Sequence, residues 1–194
     1  MNRTTKVTLG LTAIGVLVAA LLIFWTMRPQ GLAPSSIGGA FSLVDQDGRA
    51  VTDKDLLGKP TAIFFGFTYC PEVCPTTLAQ MTQWLQALGP KADKLNVVFV
   101  SVDPGRDTPA VMKEYLSNFD PHIRGFSGTP EQVAQAAKAY RVYYEKVPIE
   151  GGGYTMDHSS AIYLFDAKGR FVSPIGYGGP PEVGLSALKA LIPP

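Results

Sequence analysis

The chain of 194 residues holds only two cysteines, and they stand four apart in Thr68-Tyr69-Cys70-Pro71-Glu72-Val73-Cys74-Pro75. A thiolate is both a metal ligand and a nucleophile, so this pair can share one soft metal ion or close into a disulfide. On a helix whose first turn starts near Pro71, both sulfurs fall on one face, with Cβ atoms about 5–6 Å apart. That separation is within reach of a disulfide after a small shift. A helix N-terminus also lowers a thiol's pKa and so favours the thiolate that either role requires. A purely structural bridge is the weaker reading, because so small a loop gains little from cross-linking. A closed structural zinc site wants four nitrogen or sulfur ligands, and the thiols supply two.

The elements that must position these thiols follow from hydrophobic spacing. Residues 61–67 (TAIFFGF) and 95–102 (LNVVFVSV) are short, continuous apolar runs, as buried central strands require. Between them, residues 75–88 carry Leu78, Met81, Leu85 and Leu88 on one helical face, which completes a βαβ unit. The cysteines thus lie where a buried strand ends and a helix begins, the strand edge at which open α/β sheets bind ligands. Residues 41–51 (FSLVDQDGRAV) read as a hairpin around Asp47-Gly48. Thr108-Pro109 opens a helix to about Asn118, and Thr129-Pro130 opens another to about Tyr140. Residues 161–165 and 170–175 flank Asp166-Ala167-Lys168-Gly169 as a second hairpin, and residues 181–191 form a last helix. The order predicts an α/β, thioredoxin-like fold with a mixed central sheet flanked by helices.

Histidine is as scarce as cysteine, with two in the chain. His158 sits in Tyr154-Thr155-Met156-Asp157-His158-Ser159-Ser160, a loop just before the strand at 161–165. A lone histidine in such a place is more often structural than a ligand. In a thioredoxin-like layout, however, that loop faces the cysteine turn. Two thiolates and one imidazole suit copper, and a low-coordinate set of this kind suits Cu(I) in particular. Which of Cu(I) and Cu(II) is carried stays open. Tyr69, Glu72, Met156 and Asp157 flank the ligands and could add a contact, with Met156 better suited to packing. Asp103 ends the second buried strand on the same sheet edge. It is a candidate for an acid behind the site or a partner contact, and its preferred reading is an Asp-Pro turn that starts the next loop. His122, in Asp120-Pro121-His122-Ile123, follows a helix with nothing resembling a site around it and reads as surface.

A formal net charge of +1 gives no field with which to gather nucleic acid. Residues 8–27 (TLGLTAIGVLVAALLIFWTM) carry no charge, and about twenty such residues span ~30 Å of hydrocarbon. Trp25 suits the interface, and Arg3 and Lys6 before the span against Arg28 after it put the N-terminus in the cytoplasm. A cleaved signal peptide fits less well, since Phe24, Trp25, Met27 and Arg28 fill the place of small cleavage-site residues. The chain therefore divides into a cytoplasmic stub (1–7), one transmembrane helix (8–27), a Pro/Gly/Ser-rich linker (28–39) and one domain (40–194). The domain is expected on the periplasmic side of the inner membrane.

Taken together, Phe65-Gly66-Phe67-Thr68-Tyr69-Cys70-Pro71-Glu72-Val73-Cys74-Pro75, Ser101-Val102-Asp103-Pro104 with Arg106-Asp107-Thr108-Pro109, and Asp157-His158-Ser159 with Tyr163-Leu164-Phe165-Asp166 resemble the Sco/SenC family. The resemblance covers nearly all of residues 38–192. It implies a membrane-tethered copper protein whose ligands are Cys70, Cys74 and His158, and whose partner is cytochrome c oxidase subunit II during assembly of its CuA centre. A copper donor and a thiol reductant, neither identified by the sequence, complete the implied partners. Tyr177-Gly178-Gly179-Pro180-Pro181 departs from the family by being richer in Gly and Pro.

The rival is a thiol–disulfide oxidoreductase that would reduce the CuA-site cysteines of the partner through a Cys70–Cys74 disulfide. Against it stand a CxxxC where redox sites read CxxC, and Asp157-His158 where thioredoxins place a cis-proline. Peroxiredoxin-like enzymes carry Pro and Thr seven and three residues before the reactive cysteine; Ile63 and Phe67 occupy those positions here.

Overall fold

The computed structural model describes residues 37–193 and the single residue 19. Apart from that residue, the span read at 8–27 lies outside the described residues, as does the linker up to residue 36. Among the described residues, no helix is long and apolar enough to cross a membrane. In chain order the elements are β1 (Ser42–Asp45), β2 (Ala50–Thr52), β3 (Thr61–Gly66), α1 (Val73–Leu88), β4 (Asn96–Ser101), α2 (Pro109–Leu116), β5 (Ile123–Ser127), α3 (Pro130–Ala139), β6 (Tyr144–Pro148), β7 (Tyr154–His158), β8 (Ile162–Phe165), β9 (Phe171–Ile175) and α4 (Pro181–Leu191). Short 3-10 turns occupy Asp53–Leu56 and Gly89–Lys94.

Seven strands form one mixed sheet in the order β2-β1-β5-β4-β3-β8-β9. β3, β4 and β5 run parallel, and β8, β9, β1 and β2 add antiparallel pairs at the two sides. Every residue of β3 is buried, because both faces of this central strand are covered. Phe64 packs on Phe99, which packs on Tyr115 of α2, whereas Phe65 meets Tyr140 at the end of α3. Alternation along β3 therefore feeds two cores, one on each face of the sheet. The units β3-α1-β4 and β8-β9-α4, in the sheet order β9-β8-β3-β4, give the arrangement expected of a thioredoxin-like core.

Helices α2 and α3 start where the sequence put them. Thr108 Oγ1 accepts from the Val111 amide, and Thr129 forms a capping box with Gln132, each followed by proline in the first turn. Three features differ from expectation. Helix α1 begins at Val73 rather than near Pro71, so Cys74 lies in its first turn and Cys70 precedes it. Residues 123–127 form a central strand, β5, that no apolar run announces. Its Gly125 is demanded by packing, since a Cβ there would stand 2.3 Å from Met112 Cγ. Finally, His158 is not in a loop but ends β7, in a two-stranded sheet with β6 that is separate from the main one. The Gly151-Gly152-Gly153 run makes its turn, with φ of 86°, 98° and 89°, conformations that favour glycine.

Candidate metal centre

The site is assembled at the C-terminal end of β3. The chain leaves the strand through Phe67-Thr68-Tyr69, turns with the Cys70 amide donating to the Phe67 carbonyl, and enters α1. No side chain caps α1 at Glu72. Cys70 Sγ serves there instead, accepting from the Cys74 amide at 3.3 Å, so the sulfur satisfies one orphan donor of the helix N-terminus. Cys74 is wholly buried and its Sγ lies against β3. Glycine at position 66 makes this fit, because a Cβ there would come within 2.7 Å of that sulfur.

The hairpin β6-β7 delivers the histidine. His158 Nε2 is 3.4 Å from Cys74 Sγ, and Nδ1 is 2.9 Å from the Ser159 carbonyl. With Nδ1–H donated to that carbonyl, the tautomer leaves a lone pair on Nε2 facing the sulfurs. Phe67 meets the imidazole edge-to-face at 5.7 Å and Phe64 at 6.1 Å, which fixes the ring plane. Donor atoms of Cys70, Cys74 and His158 all lie within 4.8 Å of one another. Both cysteines are free thiols.

The two thiols share their protons unequally. Cys70 is pushed down to about 4, chiefly by the hydrogen bond it takes from the Cys74 thiol, with partial burial opposing and the Cys74 amide adding to the effect. Cys74 is pushed up by giving that hydrogen bond and by its burial. One thiolate thus stands ready at the half-buried Cys70, and Cys74 must release a proton before it can ligate a metal.

Two carboxylates lie behind the cysteines, with distinct tasks. Asp103 is buried and touches neither sulfur; it accepts from the Tyr154 hydroxyl at 2.9 Å and pairs with the Arg106 guanidinium. Asp107 is the carboxylate that grips the cysteine turn. It takes hydrogen bonds from the Thr68 amide at 3.0 Å, the Thr68 hydroxyl at 2.6 Å and the Ser101 hydroxyl at 2.6 Å. Its burial raises its pKa, and the Ser101 and Thr68 bonds oppose that rise. The sequence named Asp107 only within the motif Arg106-Asp107-Thr108-Pro109 and gave it no role of its own; that motif was the available signal. Of the flanking residues, Tyr69, Glu72 and Asp157 are exposed, whereas Met156 is buried and packs in the core. His122 is not a plain surface residue: it is half-buried between Asp120 and Asp93, at 2.6 and 3.0 Å.

Fold and site together define a mixed-sheet α/β domain with two cysteines and a histidine gathered at one strand edge. The SCO1/SenC family model matches residues 29–193, and the chain belongs to that family. It is 42% identical to the mitochondrial protein SCO1 of Saccharomyces cerevisiae over 82% of this chain and 55% of that one. It is 36% identical to the protein SenC of Rhodobacter capsulatus, covering 94% of this chain and 89% of that one. Against the first two curated relatives, yeast SCO1 and SCO2, the chain spans 55% and 53% of their length. Among solved structures, it is 57% identical to copper-bound ScoI of Bradyrhizobium japonicum, with a TM-score of 0.75 over 80% of this chain and 99% of that one.

Proposed function

We propose that this chain holds one copper ion on the Cys70 and Cys74 sulfurs and His158 Nε2, and hands it on during assembly of the CuA centre in subunit II of cytochrome c oxidase. The observation that carries this reading is the donor cluster itself, three ligand atoms within 4.8 Å of one another. Two sulfurs and an imidazole form a soft, low-coordinate set that suits Cu(I). The ion is cargo, so the site must be open as well as tight. Half-burial of Cys70 and His158 leaves that opening. Copper bound to the Bradyrhizobium relative supports the metal, and membership of the family supports the oxidase partner. Residues 8–27 are read as a single anchor in the inner membrane, with the domain on the periplasmic side.

A second reading has its own observation in its favour. The Cys70 thiolate, half-exposed and low in pKa, is also the nucleophile that thiol–disulfide exchange needs. In that reading Cys70 attacks a partner disulfide, Cys74 resolves the mixed disulfide, and two electrons pass to the partner. An external thiol reductant then restores the pair. His158 separates the two readings, because exchange needs no imidazole whereas a three-ligand copper site loses one ligand of three. His158→Ala is expected to weaken copper retention strongly while leaving the reduced chain able to cleave a model disulfide. Copper retention equal to the parent's would remove His158 from the site, and oxidase assembly supported by His158→Ala as well as by the parent would favour the reductase.

A further inference from the structure

The hairpin β6-β7 carries His158 but belongs to no larger sheet. An isolated two-stranded hairpin is marginal in water, and most of its residues are exposed or half-exposed. Something must therefore fix its orientation if Nε2 is to stay 3.4 Å from Cys74 Sγ. Met156 anchors one side chain in the core. Tyr144 and Tyr154 also pack against the core, and a polar attachment centres on Arg106, in the loop between β4 and α2.

Arg106 touches both halves of the site. Toward the histidine hairpin, its Nη1 donates to the Tyr154 carbonyl at 3.0 Å and its guanidinium lies 3.8 Å from the Tyr154 ring centroid. Toward the cysteine turn, the same guanidinium lies 4.8 Å from the Tyr69 ring and 5.8 Å from the Phe67 ring. Phe67 in turn packs edge-on against His158. Asp103 holds Arg106 from below and also receives the Tyr154 hydroxyl, which closes the ring of contacts. Lys146 covers the Tyr154 ring at 3.6 Å. Only a planar, forked cation can stack on rings and donate along its edge at once, so lysine is no substitute at position 106.

We infer that Arg106, oriented by Asp103 and clasping Tyr154, is a positioning residue that sets His158 in register with Cys70 and Cys74. Groups that orient metal ligands typically change metal affinity ~10–100-fold when removed. The part of this inference that concerns copper rests on the copper reading above; the part that concerns the hairpin does not.

The test uses the full chain, reduced, with two readouts. Without metal, Arg106→Gln should speed amide hydrogen exchange in β6 and β7 by at least about tenfold while leaving β3 and β4 protected. With Cu(I), Arg106→Gln and Arg106→Lys should each weaken binding about tenfold. In a His158→Ala background the same changes should add almost nothing, because the imidazole they position is gone. Tyr154→Phe, which deletes one hydroxyl and keeps the ring, should show the same pattern more weakly and serves if Arg106→Gln fails to fold. Equal losses with and without His158, or unchanged exchange in the hairpin, would overturn the inference. A parent chain that binds no copper would instead overturn the copper reading, and the exchange result would still decide whether Arg106 pins the hairpin.

Discussion

Cys70 and Cys74 are the same residue in one motif, yet position makes them different reagents. Cys70 precedes the helix and takes hydrogen bonds; Cys74 is buried and gives one. With its pKa near 4, Cys70 is already thiolate throughout the neutral range. Its alkylation in the reduced, metal-free chain should therefore be nearly flat between about pH 6 and 8, where an ordinary thiol of pKa ~8.5 gains roughly tenfold per unit until it nears that value. An ordinary slope would show that the proton is not shared as described. The three donor residues that the structure brings together, Cys70, Cys74 and His158, were legible because they are scarce and sit beside strand ends. Asp107 and Arg106 were not, since their roles lie in side-chain bonds to Thr68 and Tyr154, residues distant in sequence.

At the scale of elements, the reading holds wherever a segment is a continuous apolar run or starts with Thr-Pro. The strands that escaped notice lack that signature: β5 carries Arg124 and Gly125, and β6-β7 is mostly polar because little of it is buried. Packing decides β5, through the close approach of Met112 to Gly125, and no local pattern encodes it. His122 supplies a further join, from the 3-10 turn at Asp93 to the start of β5. Its pKa is raised first by the bond to Asp93, then by that to Asp120, against partial burial. The sign follows directly. A base with a raised folded pKa adds stability that is complete below its unfolded value of ~6.5 and fades as pH rises through the folded value. His122→Gln should therefore lower the denaturation midpoint more at about pH 5.5 than at about pH 9. A loss independent of pH would mean that the imidazolium does not join these elements.

At the scale of the molecule, the proposed anchor sets the reach of the site. If residues 28–39 act as the linker read from the sequence, twelve such residues would reach on the order of 20 Å, and the proposed copper site would then work near the membrane surface. A reporter fused after Pro194 should be active only if it is a type that works outside the cytoplasm; activity of a cytoplasmic reporter would reverse the orientation. The account stands or falls, however, on what surrounds the metal. X-ray absorption of the reduced full chain loaded with one equivalent of Cu(I) measures that directly. The expected result is two sulfurs and one imidazole nitrogen per copper, reduced to the two sulfurs without imidazole in His158→Ala. A parent spectrum with sulfur ligands alone, or one that His158→Ala leaves unchanged, would contradict the site at its centre.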